Sequence, residues 1–487
     1  MSSPRRLALL ATLGALLFSA SAFLACSKPP PKRLNLVLVV IDTLRADRMA
    51  LYGHTVANTP ALDAWSKGGT VWDTCYTPAP WTVPAMSMLM SGRQVMRRFA
   101  FPDPDRVPLA EHLQQHGYRC GAVVANALLR ADKGWNRGFE SFEQDSETRT
   151  TTFDDGWPGE QVVSRGLKWL DGRSEQPFFL YLHLLDPHHP YKAWTPPGGT
   201  PFKPTLSQER RERFLSILPE AQRALLTDEN YRGIEQRIAA YDSEVLEADQ
   251  ALAQLFAYLD AHDLSDDTLV VVTSDHGECL WDRRTPKTKR SHALAHFQQL
   301  FSGHGEIVYE ELLRVPLVMR GPGVPAGVRA RQHANLLDVV PTVLSLLDLP
   351  AMHPLDGRVL DPRAADVPRE RVAYFTHTCA LTEDGRYKLH LGKGRLKGKE
   401  LFPPELYDLA ADPEERAPID DPARSAAMKA RLEQWMVEND DKAVPLTDQD
   451  RAAMQALGYL GKGEKGDGMG AEDPADVGDE AADEGDR

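Results

Sequence analysis

Residues Leu34-Asn35-Leu36-Val37-Leu38-Val39-Val40-Ile41 form an almost continuous apolar run that is rich in β-branched side chains. A run of this kind favours a strand that is covered on both faces, as in a parallel sheet between two layers of helices. Similar apolar runs recur at 121–124, 178–184, 269–273 and 315–319. Helical periodicity separates them over 109–116 and again over 233–259. Strands that alternate with helices predict right-handed crossovers, so we expect an α/β fold with a mostly parallel central sheet flanked by helices.

Polar residues follow these predicted strands at the point where each strand ends. Asp42 comes directly after the first run, and Asp275-His276 follow the fourth. The polar segment 186–191, which contains His188, follows the third run. Because ligand sites in open α/β sheets lie off the carboxyl ends of the strands, we expect these side chains to converge.

A second informative stretch is Ala79-Pro80-Trp81-Thr82-Val83-Pro84-Ala85-Met86. It predicts a short helix with Thr82 as the N-cap residue, Pro84 in the first turn and Gly92 near the end. A hydroxyl at a helix N-terminus lies where free backbone N–H groups and the helix dipole favour an anion. A simple capping role is the alternative, because many helices begin with threonine.

The candidate metal ligands are Asp42, Thr82, Asp275 and His276. Oxygen ligands alone favour Ca²⁺ or Mg²⁺, whereas the imidazole shifts the preference toward Mn²⁺ or Zn²⁺. A divalent ion here would lower the pKa of the Thr82 hydroxyl and neutralise charge on a transferring sulfuryl or phosphoryl group. His188 and His304 would donate to the substrate's oxygens or protonate the leaving group. Taken singly, each of these residues is more commonly a loop cap or a histidine with a structural partner, so the prediction depends on their shared position after strands.

The composition of the 487-residue chain argues against nucleic acid as a partner. Its formal net charge is −14, whereas a nucleic-acid-binding protein needs a basic face. Four cysteines, Cys75, Cys120, Cys279 and Cys379, show no CxxC spacing, which argues against a zinc knot. Disulfides and free buried thiols are both open interpretations of these four residues.

The N-terminus predicts export from the cytoplasm. Residues 1–26 have the pattern of a signal peptide, with Arg5-Arg6 ahead of an apolar stretch. Phe23-Leu24-Ala25-Cys26 resembles a bacterial lipobox, although Phe23 stands where leucine is usual, so Cys26 is the predicted lipidation site. A lipid anchor at Cys26 and a proline-rich linker over 27–33 would tether the protein to a membrane of the bacterial envelope, in the periplasm or at the outer membrane. Ordinary signal-peptidase cleavage and an uncleaved anchor are the alternatives.

The composition changes near residue 350. We expect a main α/β domain over 34–350 and a smaller α+β subdomain over 351–460. The subdomain is predicted to contain a hairpin around 383–386 and a helix from Ser425 to Glu438. Residues 461–487 carry almost no apolar bulk and predict a disordered acidic tail.

An ordered series of motifs resembles the sulfatase family within the alkaline phosphatase superfamily. The matching segments are 39–47, 58–63, 186–191, 273–278, 303–305, 314–317, 338–342 and 406–409. The resemblance implies a metal-dependent hydrolase or group-transfer enzyme that acts on sulfate or phosphate esters, with 34–350 as its catalytic domain. It also implies that Asp42, Asp275 and His276 are metal ligands and that Thr82 occupies the nucleophile position. His188 and His304 would then contact the transferring group.

Two departures from the family pattern affect the chemistry. Typical sulfatases carry Cys-x-Pro-Ser-Arg or Ser-x-Pro-Ser-Arg and oxidise the first residue to formylglycine, whereas this chain has Thr82-Val83-Pro84-Ala85-Met86. Oxidation of a threonine gives a ketone, so the formylglycine hydrate mechanism is closed to this site. The family's lysine-and-histidine pair after the second strand is also missing, and Ala125-Asn126-Ala127 lies nearby.

Three functions remain open at this point. One is a hydrolase of sulfate or phosphate esters with Thr82 in the nucleophile position. Another is a phosphoethanolamine- or glycerophosphate-type transferase acting on phosphodiesters, because lipoteichoic-acid synthases and phosphoethanolamine transferases carry threonine at this place. The last is an inactive anion- or glycan-binding lipoprotein, which Met86 and Asn126 favour and the retained Asp42 disfavours.

The segment 283–302 inserts basic residues between the two histidine motifs. Arg283, Arg284, Lys287, Lys289 and Arg290 are predicted to form a basic lip that steers anionic polymers toward the site. An ordinary solvated loop is the alternative.

Overall fold

The computed structural model describes residues 33–94, 106–145, 156–172, 175–284, 300–305, 307–367, 369–375, 378–393 and 400–439. The strands are β1 (Asn35–Ile41), β2 (Thr70–Trp72), β3 (Cys75–Tyr76), β4 (Arg119–Val124), β5 (Ser141–Gln144), β6 (Phe178–Leu184), β7 (Thr268–Thr273), β8 (Cys279–Arg284), β9 (Leu300–Gly303), β10 (Arg314–Val315), β11 (Leu317–Arg320), β12 (Val328–Ala330), β13 (Ala334–Asn335), β14 (Arg371–Phe375), β15 (Thr378–Glu383), β16 (Tyr387–Lys393) and β17 (Glu400–Asp408). The α-helices are α1 (Pro60–Ser66), α2 (Thr82–Ser91), α3 (Leu109–Gln115), α4 (Gly159–Asp171), α5 (Gln208–Ile217), α6 (Glu220–Arg223), α7 (Asp228–Ala261), α8 (Glu310–Leu313), α9 (Val339–Leu346) and α10 (Pro422–Glu438).

The main sheet has the order β12-β2-β11-β7-β1-β6-β4-β5. Strand β1 lies at its centre and pairs in parallel with β6 and β7, and β4 pairs in parallel with β6 and β5. Every residue of β1 is buried, as its apolar composition predicts for a strand between two helical layers. The predicted α/β fold with a mostly parallel sheet is confirmed.

The fifth predicted strand, 315–319, differs from the prediction. Pro316 has no N–H to donate to a sheet, and it separates β10 from β11. Strand β11 then joins the main sheet antiparallel to β7, while β10 pairs with β3 in a separate small sheet. The Pro316 carbonyl accepts a hydrogen bond from Thr273 Oγ1 at 2.7 Å, which fixes the break beside the end of β7.

Helix α7 is the long helix predicted over 233–259, and it extends further in both directions. It begins after Thr227, whose side chain accepts a hydrogen bond from the Asn230 backbone N–H, and it ends at Ala261. Its buried face packs against α4 and α1, so it covers one face of the sheet. Among the described helices, none combines the length and apolarity that spanning a bilayer requires.

The C-terminal part forms a four-stranded antiparallel sheet in the order β14-β15-β16-β17. Its strands and α10 share a core of apolar side chains that includes Leu381, Leu389 and Leu432. The predicted hairpin around 383–386 is present, whereas the helix begins three residues before Ser425, with Asp421 as its cap. The domain boundary near 350 stays a prediction. The segments 1–26 and 461–487 and the linker 27–33 up to residue 32 lie outside the described residues, as does Cys26.

Two further sequence expectations concern cysteines and basic residues. Cys75, Cys120, Cys279 and Cys379 are all free and buried, which agrees with the free-thiol interpretation. Arg283 is buried and forms a two-pronged ion pair with Glu311, so its inclusion in a basic lip was wrong. The remaining residues of that lip, apart from the backbone of Arg284, lie outside the described part of the chain.

Candidate active site

The carboxyl ends of the central strands bring the predicted polar residues together. Val40 lies opposite His183 of β6 and Thr273 of β7, so the residues just beyond all three strands meet at one edge. His276 Nε2 lies 3.8 Å from Asp42 Oδ1 and 3.3 Å from Asp275 Oδ2. The predicted convergence of Asp42 with Asp275 and His276 is therefore present in the fold.

Thr82 joins this group from helix α2. It is the first residue of that helix, and Trp81 rather than Thr82 occupies the N-cap position. This placement corrects the predicted cap, because the hydroxyl faces another element instead of its own helix. Thr82 Oγ1 lies 3.2 Å from His276 Nε2, and both residues are fully buried.

The hydrogen bonds of His276 fix the direction of its bond to Thr82. Nδ1 lies 2.9 Å from the carbonyl oxygen of Gly277, which can only accept. In the neutral ring Nδ1 therefore carries the proton, and Nε2 accepts from the Thr82 hydroxyl. In this tautomer Nε2 carries a lone pair that points at Thr82, where it can accept a proton or bind a metal ion.

Each of the two carboxylates has one oxygen, Asp42 Oδ1 or Asp275 Oδ2, without a hydrogen-bond partner among the residues that the structure describes. The other oxygen of Asp275 accepts from the backbone N–H groups of Thr43 and His276, at 3.2 and 2.8 Å. Thr43 reaches this position in a left-handed conformation with φ of 55°, which is strained for a β-branched residue. The left-handed conformation of Thr43 turns the chain after β1, so that the Thr43 backbone N–H faces Asp275.

Burial and charge push the two carboxyl groups in opposite directions. Burial would raise the pKa of Asp42, but the hydrogen bond from His183 and the nearby His188 and His276 outweigh burial and lower the pKa below its usual value. Burial raises the pKa of Asp275, and the neighbouring Asp42 charge raises it further. A cation bound between the two carboxylates, or protonation of Asp275, would relieve their repulsion.

Two residues that the sequence analysis did not assign to the site hold Asp42 in place. His183 Nε2 lies 3.1 Å from Asp42 Oδ2, and the Asn126 side-chain amide donates to the same oxygen at 2.5 Å. The Asn126 amide oxygen accepts from the Leu128 backbone, which orients its nitrogen toward Asp42. Asn126, counted above in favour of an inactive protein, is instead part of the support of Asp42. The sequence offered one sign of a role for His183, because it is a lone histidine inside the apolar run 178–184.

His183 is also close enough to belong to a metal-binding group. One ligand atom each from Asp42, His183 and Asp275 lies within 4.8 Å of the others. However, Tyr181 O–H lies 2.7 Å from His183 Nδ1, and a hydroxyl that donates there leaves Nε2–H to donate to Asp42. Both ring nitrogens are then used, so we assign His183 to positioning Asp42 rather than to binding an ion.

His188 and His304 lie beside the buried group. The His304 ring lies 4.3 Å from the His276 ring and 5.0 Å from the His188 ring, measured between centroids. His304 Nδ1 lies 3.0 Å from Glu278 Oε1, and both side chains are buried. Glu278 lies in the motif 273–278, and the sequence analysis assigned it no role. Its carboxyl group orients the His304 ring, and burial raises its pKa.

Close backbone packing maintains this arrangement. Gly277 follows His276 directly, and a Cβ atom placed on it would lie 2.0 Å from the backbone oxygen of Glu311. No side chain fits in that space. The contact holds the segment after β7 against helix α8 and fixes the position of His276.

The donor set fits a divalent metal ion. The unpartnered oxygens of Asp42 and Asp275 face His276 Nε2, and Thr82 Oγ1 completes a set of three oxygens and one nitrogen. The distances of 3.2, 3.3 and 3.8 Å from His276 Nε2 are close to the edge of about 3.4 Å expected between tetrahedral ligands of Zn²⁺. A cation also explains why two buried carboxylate oxygens lack partners.

A comparison with known protein families agrees with this geometry. The sequence profile of the family described as Sulfatase matches residues 34–349. The chain belongs to the sulfatase family. This membership confirms the family predicted from the motifs and the enzyme class, a hydrolase of sulfate or phosphate esters.

Individual relatives of this sulfatase family member are distant but extend over most of its length. Arylsulfatase K of Gallus gallus is 26% identical over 468 residues, which cover 83% of this chain and 82% of the relative. Choline-sulfatase of Rhizobium meliloti (strain 1021) is 24% identical over 480 residues, covering 84% and 88%. The crystal structure of phosphonate monoester hydrolase of Agrobacterium radiobacter has a TM-score of 0.60 at 20% identity, covering 84% of this chain and 95% of the other. The last comparison confirms the fold.

Proposed function

We propose that this sulfatase-family protein hydrolyses anionic sulfate or phosphate esters with Thr82 as the nucleophile. The observation that carries the proposal is the 3.2 Å contact between Thr82 Oγ1 and Nε2 of His276, next to two carboxylate oxygens that have no hydrogen-bond partner among the described residues. Structural capping of a helix would not require this contact, because Trp81 rather than Thr82 occupies the N-cap position.

We further propose that Asp42, Thr82, Asp275 and His276 hold a divalent metal ion. A set of three oxygens and one imidazole nitrogen favours Mn²⁺ or Zn²⁺ over Ca²⁺ or Mg²⁺. When bound, the ion would lower the pKa of the Thr82 hydroxyl and stabilise negative charge on the transferring group. His183 and Asn126 would hold Asp42 so that only Oδ1 faces the ion.

The reaction follows from the placement of the protein groups. The substrate's anionic group would lie at the N-terminus of α2, where the dipole and free N–H groups favour it. Thr82 Oγ1 would release its proton to solvent water and form a bond to sulfur or phosphorus, while the bond to the ester oxygen breaks. His188 or His304 would give a proton to that departing oxygen, so that an alcohol leaves. Water would then attack the threonine ester and regenerate Thr82.

The residues favour phosphoester chemistry within this class. A threonine ester lacks the second hydroxyl with which hydrated formylglycine expels its sulfate, so a nucleophile must attack sulfur or phosphorus directly. In-line attack at phosphorus with charge stabilisation suits this step. The relatives include both chemistries, since one is a choline-sulfatase and another a phosphonate monoester hydrolase. An acceptor alcohol in place of water would give the transferase reaction.

Thr82→Ala and Thr82→Ser variants test the proposal. Turnover of aryl sulfate, phosphodiester and phosphonate esters should fall by about 10³-fold or more in Thr82→Ala, because no other hydroxyl replaces the nucleophile. Thr82→Ser should keep measurable activity. Intact-mass analysis after rapid quenching should show a sulfuryl or phosphoryl group on Thr82.

The outcomes separate the candidate functions. Unchanged turnover in Thr82→Ala would remove Thr82 from the mechanism. A metal-free wild-type protein with no turnover on any of these esters would support the inactive binding function instead. Formation of an alkyl ester when a primary alcohol is added would identify a transferase.

We propose that the protein is exported and lipid-anchored in the bacterial cell envelope. The support is the signal-like segment 1–26 and the lipobox-like residues that end at Cys26. Expression in a bacterial host with radiolabelled palmitate tests this directly. Incorporation of label that is lost in Cys26→Ser supports the anchor, and release of unlabelled soluble protein into the periplasm would contradict it.

A further inference from the structure

A cavity of about 460 Å³ lies past the C-terminal end of helix α2. Its walls include Arg93, Arg106, Arg369, Arg371 and Trp435. Helix α2 has ten residues, so its two ends are about 15 Å apart. Because Thr82 lies at the N-terminal end, this cavity is separate from the candidate active site.

Arg371 is the unusual member of this wall. The residue is 8% exposed, its buried Nη2 has no hydrogen-bond partner in the described part of the chain, and no ion pair joins it to a described carboxylate. Its described contact is with the ring of Tyr76, 3.8 Å from the guanidinium carbon to the ring centroid. A guanidinium that is removed from water and lacks an anion is strongly unfavourable.

The other buried arginines show how this chain normally handles such a charge. Arg45, Arg48, Arg130 and Arg283 are buried to a similar degree, and each is paired with a carboxylate. The distances of these pairs are 2.9 Å or less. Arg371 departs from this pattern among the described arginines, and it does so at the wall of a cavity.

The carboxylates around the cavity all have partners other than Arg371. Asp356 accepts from the Gln94 backbone at 2.7 Å and lies 3.9 Å from Arg93 Nε. Glu370 lies 3.1 Å from Arg431. The third lining carboxylate, Glu438, accepts a hydrogen bond from Gln434 at 2.8 Å. None of these three groups forms an ion pair with Arg371.

We propose that this cavity is a second binding site, specific for a small oxyanion such as sulfate or phosphate. Arg371 supplies a buried, always-charged donor whose planar fork matches the oxygens of such an anion. Arg93 and Arg106 add positive charge on the same wall, and Trp435 provides a flat surface for any group attached to the anion. The volume lies within the range of small-molecule pockets. The proposal does not depend on the reaction assigned to Thr82.

Titration calorimetry of inorganic sulfate and inorganic phosphate into the full-length, metal-loaded chain tests the proposal. Arg371→Met should weaken one anion-binding event by about tenfold or more, the loss of a charge-assisted hydrogen bond, and leave kcat unchanged. Asp275→Asn should affect the active site and leave the Arg371-dependent event in place. Arg416→Met, which removes an exposed arginine that is paired with Glu414, is the matched control and should change neither event.

Two results would overturn the proposal. One is identical anion binding in the wild type and in Arg371→Met. The other is no binding of added anion by the wild type; a lowered Tm in Arg371→Met would then assign the cavity to carboxylates of the protein itself. If Arg371→Met does not fold, the same titration with Arg93→Met decides, because that side chain is 36% exposed and its loss should not unfold the protein.

Discussion

The hydrogen bond between His183 and Asp42 makes a quantitative prediction about metal binding. Replacing His183 by phenylalanine keeps a planar ring in β6 but removes the donor that lies 3.1 Å from Asp42 Oδ2. Asn126 then remains as the side-chain donor to that oxygen among the described residues. Asp42 gains freedom to rotate, and Oδ1 is no longer held toward His276.

The expected loss follows from the strength of this bond. A hydrogen bond to a charged group contributes about 1.5–3 kcal/mol, and residues that orient a metal ligand typically change metal affinity by about 10- to 100-fold. We therefore expect His183→Phe to weaken Zn²⁺ or Mn²⁺ binding by about 10- to 100-fold. Stability should fall by about 1–3 kcal/mol, because the buried hydroxyl of Tyr181 loses its acceptor.

Competition with a chelator of known affinity measures the metal dissociation constant, and thermal unfolding of the metal-free protein measures stability. His112→Phe is the control, since His112 is also buried but hydrogen-bonds to the Pro350 carbonyl away from the site. It should lower stability without changing metal affinity. An affinity within twofold of the wild type in His183→Phe would refute the positioning role. A loss far beyond 100-fold would instead make His183 a direct ligand.

Further predictions concern stability. Lys388 is fully buried between Glu310 and Glu415, at 2.9 and 3.0 Å, so Lys388→Met should cost about 3–5 kcal/mol in chemical denaturation by removing the cation that the buried Glu415 and the partly buried Glu310 share. Burial alone would raise the pKa of Glu415, but Lys388 and the neighbouring histidine lower it to about 2. Because this folded-state pKa is below the usual 4.5, the contribution of Glu415 is complete above pH 4.5 and is lost as the pH falls toward 2. An unfolding series over that range should show a smaller slope in Glu415→Gln; an equal slope would contradict the assignment. Gly277→Ala should abolish turnover or folding because its Cβ would clash with a backbone oxygen, whereas Gly233→Ala in α7 meets no atom within 4 Å and should raise stability by about 0.5–1 kcal/mol in the same assay.

Local sequence patterns predicted a large part of the fold. The runs 34–41, 178–184 and 269–273 each became a buried strand of the central sheet, because continuous apolar composition is a property of the segment itself. Boundaries were less accurate where a single residue decides them. Pro316 divided one predicted strand, and Asp421 rather than Ser425 caps the last helix.

The candidate site was predicted in part. Asp42, Asp275 and His276 each follow a strand, and parallel strands end at one edge, so their convergence was accessible from the sequence. Thr82 was identified from its position at the start of a short helix. Its contact with His276 was not predicted, because no sequence pattern shows which side chain a hydroxyl faces. Its assigned role remains a prediction that the variants above can test.

The sequence by itself determined the α/β class, the order of the family motifs and the residues at the ends of the strands. Each of these is encoded in a short stretch of chain. Only the tertiary structure decided that His183 and Asn126 occupy one oxygen of Asp42 and leave the other without a partner. The same holds for Arg371, which is buried at the wall of a cavity and has no ion-pair partner among the described residues. Whether a buried polar atom has a partner depends on residues far apart in the chain, so it is fixed only when those residues pack together.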